Sequence, residues 1–141
     1  MSRKAKALVL DSWSIIAYLE DEPASAQIAD LLANAHEEKI PVFMSVVNVG
    51  EVWYILARRV SEEEADTSVK ELRNLRIEFV NADWELTKEA ARFKSKHKMS
   101  YADAFAAAVV KVKKADLVTG DSEFKPLEEQ VKIQWVGSSE V

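Results

Sequence analysis

The sequence contains no cysteine, and this absence excludes several kinds of site. A disulfide scaffold, thiolate-bound zinc, an iron–sulfur cluster and a cysteine nucleophile all require a thiol. The three glycines are widely scattered, so the chain has no glycine-rich loop for phosphate. No apolar run approaches a membrane span, and the run at 7–10 is too short for the core of a signal peptide. We therefore expect a cytoplasmic protein.

Acidic side chains outnumber basic ones, and the 141-residue chain has a formal net charge of −5. Such a protein does not attract nucleic acid or anionic membranes by its bulk charge, so a phosphate-containing partner needs a metal ion or a local basic patch. Hydrophobic residues make up 48% of the chain and charged residues 30%, as in soluble globular domains. Since no linker or internal repeat divides the sequence, we predict a single domain over 1–141.

Short apolar runs alternate with longer amphipathic segments. The runs predict strands, and the segments between them predict helices. The predicted strands are 7–10, 41–45, 77–80, 117–119 and 133–136, and the predicted helices are 14–20, 23–39, 46–59, 61–75, 83–97 and 100–114. This alternation predicts an α/β fold in which helices flank a mainly parallel central sheet. In such a sheet, ligands bind at the carboxyl ends of the strands.

Two aspartates directly follow predicted strands. Asp11 ends the apolar run 7–10, and Asp121 follows the strand at 117–119 and a turn at Gly120. If these strands are parallel, both carboxylates project from the same edge of the sheet, where a site is expected. Each aspartate also has a purely structural interpretation, because Asp11 would cap the helix after it and Asp121 would form a turn.

Two further carboxylates lie in strongly apolar helical segments. Glu51 belongs to the segment 46–56, which is apolar on nearly every side and is therefore predicted to be buried. A buried carboxylate without a partner is costly, so we expect a metal ion or an arginine beside it; the alternative is a narrow exposed stripe near Arg58. Asp103 lies three residues after Ser100 at the start of another apolar helix, and this spacing also resembles a capping box.

These four carboxylates would repel one another in a shared site unless a cation neutralised them. Ligand sets made only of oxygen favour Mg²⁺ or Mn²⁺ over zinc. A bound magnesium ion keeps several waters, contacts phosphate oxygens and activates water for attack on phosphorus. The sequence therefore predicts a magnesium or manganese site that acts on a phosphate compound.

Other catalytic sites are less compatible with the sequence. His36 and His97 lie at predicted helix ends among charged residues, and neither has the setting of a serine hydrolase triad. A phosphatase with Asp11 as its nucleophile would need a second aspartate two residues later, where the chain has Trp13. A receiver domain would need adjacent acids near the first strand, and the sequence has none there.

Taken in order, the motifs of this chain resemble those of the PIN-domain ribonucleases. The matching features are Asp11-Ser12 after the first strand, Glu51 in a helix, the segment Ser100-Tyr-Ala-Asp103-Ala, and the segment Thr119-Gly-Asp121-Ser-Glu123-Phe. Within that family the chain looks most like the VapC-type toxins of bacterial and archaeal toxin–antitoxin pairs. Length, element order and acid spacing match over nearly the whole chain, so the resemblance implies a PIN-like three-layer fold.

The resemblance implies a site that holds one or two Mg²⁺ or Mn²⁺ ions and hydrolyses RNA with metal-activated water. The residues that match the catalytic, metal-binding acids of the family are Asp11, Glu51, Asp103 and Asp121. Glu123 matches a less constant acid near the metal. By the same resemblance, we expect each of these side chains to act through metal binding.

Four other residues are expected to support the acids without binding the metal. Ser12 and Thr119 match small hydroxyl residues of the family, and we assign Asn48 and Ser100 to the same group. Asn48 departs from the family, which often has serine or threonine at that place. Trp13 also departs, because a smaller residue is common there, and it could alter base stacking or the mouth of the pocket.

RNA contact requires positive charge, and one segment supplies it. The segment 88–98 has a local charge of +4 just before Asp103, and it could steer a phosphate backbone, although a solvated helix face explains it equally well. Trp13 and Tyr101 are candidates for stacking on bases or on antitoxin side chains, whereas core packing better explains Trp53. The family resemblance further implies a homodimer and a VapB-like antitoxin as partners.

The leading hypothesis is therefore a magnesium-dependent endoribonuclease that acts as the toxin of a VapBC-type pair. Two alternatives stay open. The first is a non-catalytic PIN-like binding module whose acids hold a basic partner instead of a metal. The second is another metal-dependent phosphotransfer enzyme.

Overall fold

A computed structural model describes residues 4–137 of the protein. The chain forms five strands, six α-helices and one 3-10 helix over this range. The strands are β1 (Leu8–Leu10), β2 (Val42–Ser45), β3 (Ile77–Val80), β4 (Asp116–Thr119) and β5 (Ile133–Trp135). The helices are α1 (Ser12–Leu19), α2 (Ser25–Glu37), α3 (Val46–Arg59), α4 (Glu62–Asn74), α5 (Trp84–Lys96), α6 (Tyr101–Lys113) and the 3-10 helix Ser122–Leu127.

The five strands form one parallel sheet in the order β3-β2-β1-β4-β5. The chain starts in the central strand β1, adds β2 and β3 on one side, and then crosses to add β4 and β5 on the other. The strand order therefore reverses between β1 and β4, and Leu10 at the end of β1 pairs with Val118 of β4. The predicted parallel α/β architecture is confirmed.

Alternate residues of the strands face two separate hydrophobic cores, because side chains alternate between the two faces of a sheet. Val9 and Leu117 pack with α5, α6 and the 3-10 helix on one face. Leu8, Leu10 and Val118 pack with α1 to α4 on the other face. All five of these side chains are buried, which gives the three layers that the strand–helix alternation predicts.

Local capping explains several element boundaries. The Ser61 hydroxyl accepts a hydrogen bond from the backbone N–H of Glu64 and so caps the start of α4. Helix α1 begins at Ser12, two residues earlier than predicted, because the Asp11 side chain caps it. Helix α2 begins at Ser25 rather than at Pro23. The 3-10 helix was not predicted, since its sequence contains Pro126 and lacks helical periodicity.

The expected burial of α3 is wrong in one respect. Its buried face carries Asn48, Val49, Val52 and Leu56, but Gly50 is exposed and Tyr54 is 45% exposed. Because apolar residues continue around the helix beyond its packed face, composition alone overstates how much of it is covered. Glu51 is half-buried on the border between the two faces.

Within residues 4–137, no helix combines the length and apolar character that crossing a membrane would demand. The predicted single domain covers residues 1–141, of which 1–3 and 138–141 lie outside the described residues.

Candidate metal centre and active site

The carboxyl ends of β1 and β4 place two of the predicted acids at the same edge of the sheet. Asp11 follows β1 directly, and Asp121 follows β4 after Gly120. The two strands are neighbours, and the strand order reverses between them. A crevice is expected at such a reversal in an open parallel sheet, because the connections of the two strands diverge there.

Asp11 is held on both carboxylate oxygens. Its Oδ1 accepts a hydrogen bond from the backbone N–H of Ser14 over 2.9 Å, and its Oδ2 accepts one from the Thr119 hydroxyl over 2.6 Å. The side chain is 1% exposed. The capping interpretation of Asp11 is therefore correct, and the same two bonds fix the carboxylate against the end of β4.

The burial of Asp11 changes its chemistry. Removal from water disfavours the charged carboxylate and raises the pKa of Asp11 to about 7, although the bonds from Thr119 and Ser14 act in the opposite direction. The charge of Asp103 raises this pKa further. Without a cation, Asp11 is thus partly protonated at neutral pH, and a bound cation would stabilise the ionised form.

Asp121 also has a structural role in addition to its place in the site. Its Oδ1 accepts a hydrogen bond from the backbone N–H of Glu123 over 2.9 Å and so starts the 3-10 helix. The backbone N–H of Asp121 donates to the Thr119 hydroxyl oxygen over 3.0 Å. The turn interpretation is confirmed, and Thr119 contacts both Asp11 and Asp121.

Asp103 enters the site from the first turn of α6. The Ser100 hydroxyl accepts a hydrogen bond from the backbone N–H of Asp103 over 3.1 Å, as the capping spacing predicts. Burial, followed by the charge of Asp121, raises the pKa of Asp103 to about 6. The charges of Glu51 and Glu123 raise it as well, whereas the Ser100 hydroxyl lowers it. Several carboxylates therefore act on Asp103 together.

Glu51 faces the site from α3, where it accepts a short hydrogen bond from the Ser12 hydroxyl. Ser12 begins α1, so this bond joins α1 to α3 across the crevice. Ser12 therefore supports a carboxylate, as expected, and the carboxylate that it contacts is Glu51.

Three of the acids already have the spacing of a metal site. One carboxylate oxygen each from Asp103, Asp121 and Glu123 lies within 4.8 Å of the other two. Glu51 and Asp11 are not part of this tight group, but Glu51 acts electrostatically on Asp103, which acts in turn on Asp11. The predicted acids thus form one electrostatic cluster, with three of them close enough to share an ion.

An open cavity of about 420 Å³ lies over this cluster. Its walls include the predicted residues Ser12, Glu51, Ser100, Asp103, Asp121 and Glu123. Asp11 is not among its lining residues, because the first turn of α1 and the end of β4 enclose it. We therefore distinguish the acids that a ligand can contact from Asp11, which lies beneath them.

Asn48 lies between α3 and α6 beside the acids. The residue is fully buried, and its Nδ2 donates to the backbone carbonyl of Ala102 over 3.1 Å. Within residues 4–137 its Oδ1 is buried without a hydrogen-bond partner. Buried polar atoms normally have a hydrogen-bond partner, so this oxygen is free to accept a hydrogen bond from a water molecule.

The donor set fits a hard divalent cation. It consists of carboxylate oxygens, which are ligands that Mg²⁺ and Mn²⁺ prefer. Burial is the main cause of the raised pKa values of Asp11 and Asp103, and repulsion from neighbouring carboxylates adds to it, so both acids are costly to ionise without a cation. A cation would remove this repulsion.

Sequence reasoning missed one cation of the cavity. Arg59 lines the same cavity as the acids and pairs with Glu20 over 2.5 Å. Glu51, Ile55 and Arg59 all line the cavity, and they are spaced four residues apart along α3. Residues four apart share one face of a helix, so this periodicity, read forward from Glu51, could have identified Arg59.

The basic segment 88–98 lies mostly on α5 and ends beside Ser100. Part of its charge is engaged, since Arg92 pairs with Glu89 over 2.6 Å and Lys94 donates to the backbone carbonyl of Met99 over 2.8 Å. Lys88, Lys96 and Lys98 are exposed. Both interpretations of the segment, a solvated helix face and a contact for phosphate, stay open.

The candidate aromatic residues differ in their surroundings. Trp53 is half-buried, packs against the core and donates from Nε1 to Asp66 over 2.9 Å, which agrees with a structural role. Tyr101 is 44% exposed and packs against Phe105. Trp13 lines the cavity next to the acids, at the mouth where its position in the sequence suggested.

Comparison with known proteins places this architecture in context. A family model described as PIN domain matches residues 8–129. The comparison with curated proteins gives no significant match.

Several solved structures share the fold at low sequence identity. VapBC2 of Rickettsia felis, bound to a DNA fragment from its promoter, matches with a TM-score of 0.73 at 14% identity, covering 93% of this chain and 99% of that one. DNA-bound VapBC of Salmonella typhimurium matches with a TM-score of 0.70 at 13% identity, covering 91% and 96%. VapC20 of Mycobacterium tuberculosis, a toxin that cleaves the sarcin-ricin loop, matches with a TM-score of 0.68 at 20% identity, covering 85% and 94%.

Proposed function

Because the chain belongs to the PIN-domain family, we propose that it is a metal-dependent endoribonuclease and the toxin of a VapBC-type toxin–antitoxin pair. The observation that carries this proposal is the convergence of Asp103, Asp121 and Glu123, whose carboxylate oxygens lie within 4.8 Å of one another. Glu51 lines the same cavity. An oxygen-only acid site in a PIN domain suits phosphodiester hydrolysis better than the other chemistries that the sequence permits.

The acids have different roles in this proposal. Asp103, Asp121, Glu123 and Glu51 face the cavity and hold one or two Mg²⁺ or Mn²⁺ ions. Asp11 acts from below, where its buried negative charge adds to the attraction for a cation. When bound, the ion supplies positive charge that neutralises the scissile phosphate and activates a water molecule.

The surrounding polar residues hold these acids in place. Thr119 binds Asp11 and Asp121, Ser12 binds Glu51, and Ser100 caps the turn that carries Asp103. Such fixed geometry matters because a metal site loses affinity when its ligands are free to rotate. The proposed reaction adds water to phosphorus and breaks the bond to the 3′ oxygen, which leaves a 5′-phosphate and a 3′-hydroxyl.

Arg59 is the cation best placed to orient the substrate. It lines the cavity on the same face of α3 as Glu51, and it pairs with Glu20. A guanidinium binds phosphate oxygens with directed hydrogen bonds. In this proposal Arg59 contacts an RNA phosphate, while the exposed lysines of segment 88–98 attract the strand at longer range.

RNA is the proposed substrate class, and a VapB-like antitoxin is the proposed partner. The similar VapC20 of Mycobacterium tuberculosis cleaves the sarcin-ricin loop, which supports an RNA substrate here. The similar Rickettsia felis and Salmonella typhimurium structures are VapBC complexes, which supports an antitoxin partner. The family resemblance further supports a homodimer, which light scattering of the purified protein would test.

The decisive experiment compares cleavage of a mixed set of structured RNAs by wild type and by Asp103→Asn. Reactions contain Mg²⁺, Mn²⁺ or EDTA. We expect cleavage by wild type with either metal, none in EDTA, and a loss of at least a hundredfold in Asp103→Asn. Asp30→Asn is the matched control, because Asp30 is an exposed aspartate on α2 outside the cavity.

The outcomes separate the proposal from its alternatives. Turnover of a small phosphomonoester but not of RNA would favour another phosphotransfer enzyme. If calorimetry detects no binding of Mg²⁺ or Mn²⁺ while a basic peptide binds tightly, the chain is a binding module. Equal cleavage by wild type and Asp103→Asn would remove this site from the reaction.

A further inference from the structure

A second cavity, of about 650 Å³, lies beside the 420 Å³ cavity over the acids, which we call the acid cavity. Its walls include two tryptophans, one lysine and the loop that follows β4. We call it the tryptophan groove, and the residues that define it here are Trp13, Gly120, Ser122, Lys125, Glu128 and Trp135. Its volume falls in the range of pockets that hold small organic groups.

The tryptophan groove and the acid cavity share one side chain in their walls. Trp13 lines both cavities. The loop after β4 likewise divides between them, because Asp121 lines the acid cavity while Gly120 and Ser122 line the groove. A group seated in the groove is therefore one side chain away from the acids.

The indole of Trp13 lies directly against backbone. A Cβ atom placed on Gly120 would lie 2.2 Å from a ring carbon of Trp13, and one placed on Gly137 would lie 3.4 Å from it. Any side chain at position 120 would clash with the ring, so the indole can occupy this space only because residue 120 is glycine. The ring is thereby fixed in position, and a fixed ring loses little entropy when it binds a ligand.

Trp135, which also lines the groove, is held by a hydrogen bond of its own. Its Nε1 donates a hydrogen bond to a carboxylate oxygen of Glu128 over 2.7 Å. Trp13 and Trp135 are both half-buried, so each leaves part of its ring open. Lys125 adds a positive charge to the same groove.

We propose that the tryptophan groove binds an unpaired nucleotide of the RNA substrate, next to the scissile phosphate. The inference rests on the proposed function, and it identifies Trp13 and Trp135 as residues that determine specificity. The base stacks on the exposed indole surfaces, and Lys125 faces the adjoining phosphate. Aromatic rings that stack on bases beside a basic side chain are the usual construction of single-strand sites.

Two features favour a nucleotide over an apolar peptide side chain as the occupant. The groove combines two half-buried tryptophans with Lys125, which matches the flat base and the anionic phosphate of one nucleotide, while its acid Glu128 accepts a hydrogen bond from the Trp135 indole. Trp13 also lines the acid cavity, so a strand bound over the acids lies beside a wall of the groove. The RNA substrate is therefore expected to have an unpaired nucleotide at its cleavage site.

The test measures binding of a fluorescently labelled single-stranded RNA by anisotropy, with Ca²⁺ in place of Mg²⁺ and a gel to verify that the RNA stays intact. Variants are Trp13→Ala, Trp13→Phe and Trp135→Ala. The matched control is Trp84→Ala, because Trp84 is 69% exposed and lies outside the groove. We expect about tenfold weaker binding for each alanine variant of the groove and little change for Trp13→Phe and Trp84→Ala.

A second set of RNAs tests stacking itself. Each RNA carries one abasic position, and one of them should bind wild type about tenfold more weakly than the intact strand. On that RNA, Trp13→Ala should cause no further loss. Equal losses on intact and abasic RNA, or groove variants that bind like wild type, would overturn the proposal. Circular dichroism verifies folding, and Trp13→Phe keeps the test valid if Trp13→Ala unfolds.

Cleavage by wild type separates this inference from the proposed function. If groove variants cleave RNA with unchanged KM, the groove inference fails alone. If wild type binds RNA through the groove but does not cleave it, the proposed function fails and the groove inference stands. If groove variants weaken binding of an arginine-rich peptide but not of RNA, the groove serves a protein partner, and the inference is overturned.

Discussion

The hydroxyl of Thr119 donates a hydrogen bond to Oδ2 of Asp11 over 2.6 Å. The hydroxyl oxygen of Thr119 in turn accepts a hydrogen bond from the backbone N–H of Asp121 over 3.0 Å. One side chain at the end of β4 thereby sets the positions of an acid after β1 and of another after β4. Because Thr119 is fully buried, no water replaces these bonds if the hydroxyl is lost.

Replacement of Thr119 by valine should therefore weaken the metal site. Valine has the same shape but no hydroxyl, so a buried carboxylate and a backbone N–H lose their partner, at a cost of about 1–3 kcal/mol in the free energy of unfolding. Calorimetry with Mn²⁺ and urea unfolding measure the two effects. Thr119→Ser, which retains the hydroxyl, should behave like wild type, and wild-type metal affinity in the valine variant would contradict the prediction.

Metal affinity should depend strongly on pH. Burial raises the pKa of Asp11 to about 7, and burial together with neighbouring charge raises the pKa of Asp103 to about 6. Protons therefore compete with the cation below these values, and the affinity for Mn²⁺ should rise from about pH 5.5 to about pH 7.5 and then level off. Titration in two buffers of different ionisation enthalpy counts the protons released. An affinity that is constant across this range would exclude proton competition.

Without metal, the ionisation of Asp11 should destabilise the fold. The pKa of Asp11 is about 7 in the folded protein and 3.8 as its reference value, so the folded state holds the proton more tightly than the unfolded state. Stability is therefore highest at low pH with respect to this group and falls as the pH rises from about 4 to about 7. The full difference is on the order of 4 kcal/mol.

The variant Asp11→Asn tests this linkage directly. This variant should lose the pH dependence of stability that Asp11 contributes. Its free energy of unfolding in EDTA should therefore increase relative to that of wild type between pH 5 and pH 8. Urea unfolding at both pH values measures the change, and saturating Mn²⁺ should restore wild type at pH 8. The informative quantity is how stability changes with pH and not its value at one pH, because asparagine also changes the hydrogen bond to Thr119. Parallel stability curves for the two proteins would show that Asp11 does not titrate as its burial predicts.

Two neighbouring arginines offer a matched comparison. Arg59 lines the acid cavity, whereas Arg58 lies over the ring of Tyr54 outside it. Arg59→Gln should raise KM for RNA about tenfold by loss of a phosphate contact, and Arg58→Gln should leave KM unchanged. Cleavage kinetics at two salt concentrations measure both values. Equal effects of the two substitutions would indicate a general charge effect instead of a contact by Arg59.

Much of the site follows from simple rules applied to the sequence. Asp11 and Asp121 could be predicted because side chains that follow parallel strands meet at one edge of the sheet, and β1 and β4 are indeed neighbours. Ser100 could be predicted as the cap of α6 from its spacing to Asp103 alone. These features depend on local sequence and on one topological rule, so no knowledge of tertiary packing is needed.

The remaining features depend on packing between distant segments. The exposure of α3 could not be predicted, because an apolar helix does not reveal which of its faces has a neighbour. Whether Arg59 reaches the acids depends on the path of α3 across the crevice, and the depth of Asp11 depends on how Thr119 and Ser14 enclose it. The fit between Trp13 and Gly120 joins two segments that have no shared pattern in the sequence.

The bond between Thr119 and Asp11 joins residues that are 108 positions apart in the chain. During translation Asp11 is made early, whereas β4 and the acids after it emerge only when most of the domain has left the ribosome. A nascent chain that does not yet contain β4 cannot pair it with β1 and cannot assemble the cluster of acids. For the proposed ribonuclease, synthesised among RNA molecules, this order of emergence would delay catalytic activity until nearly the whole domain has been made.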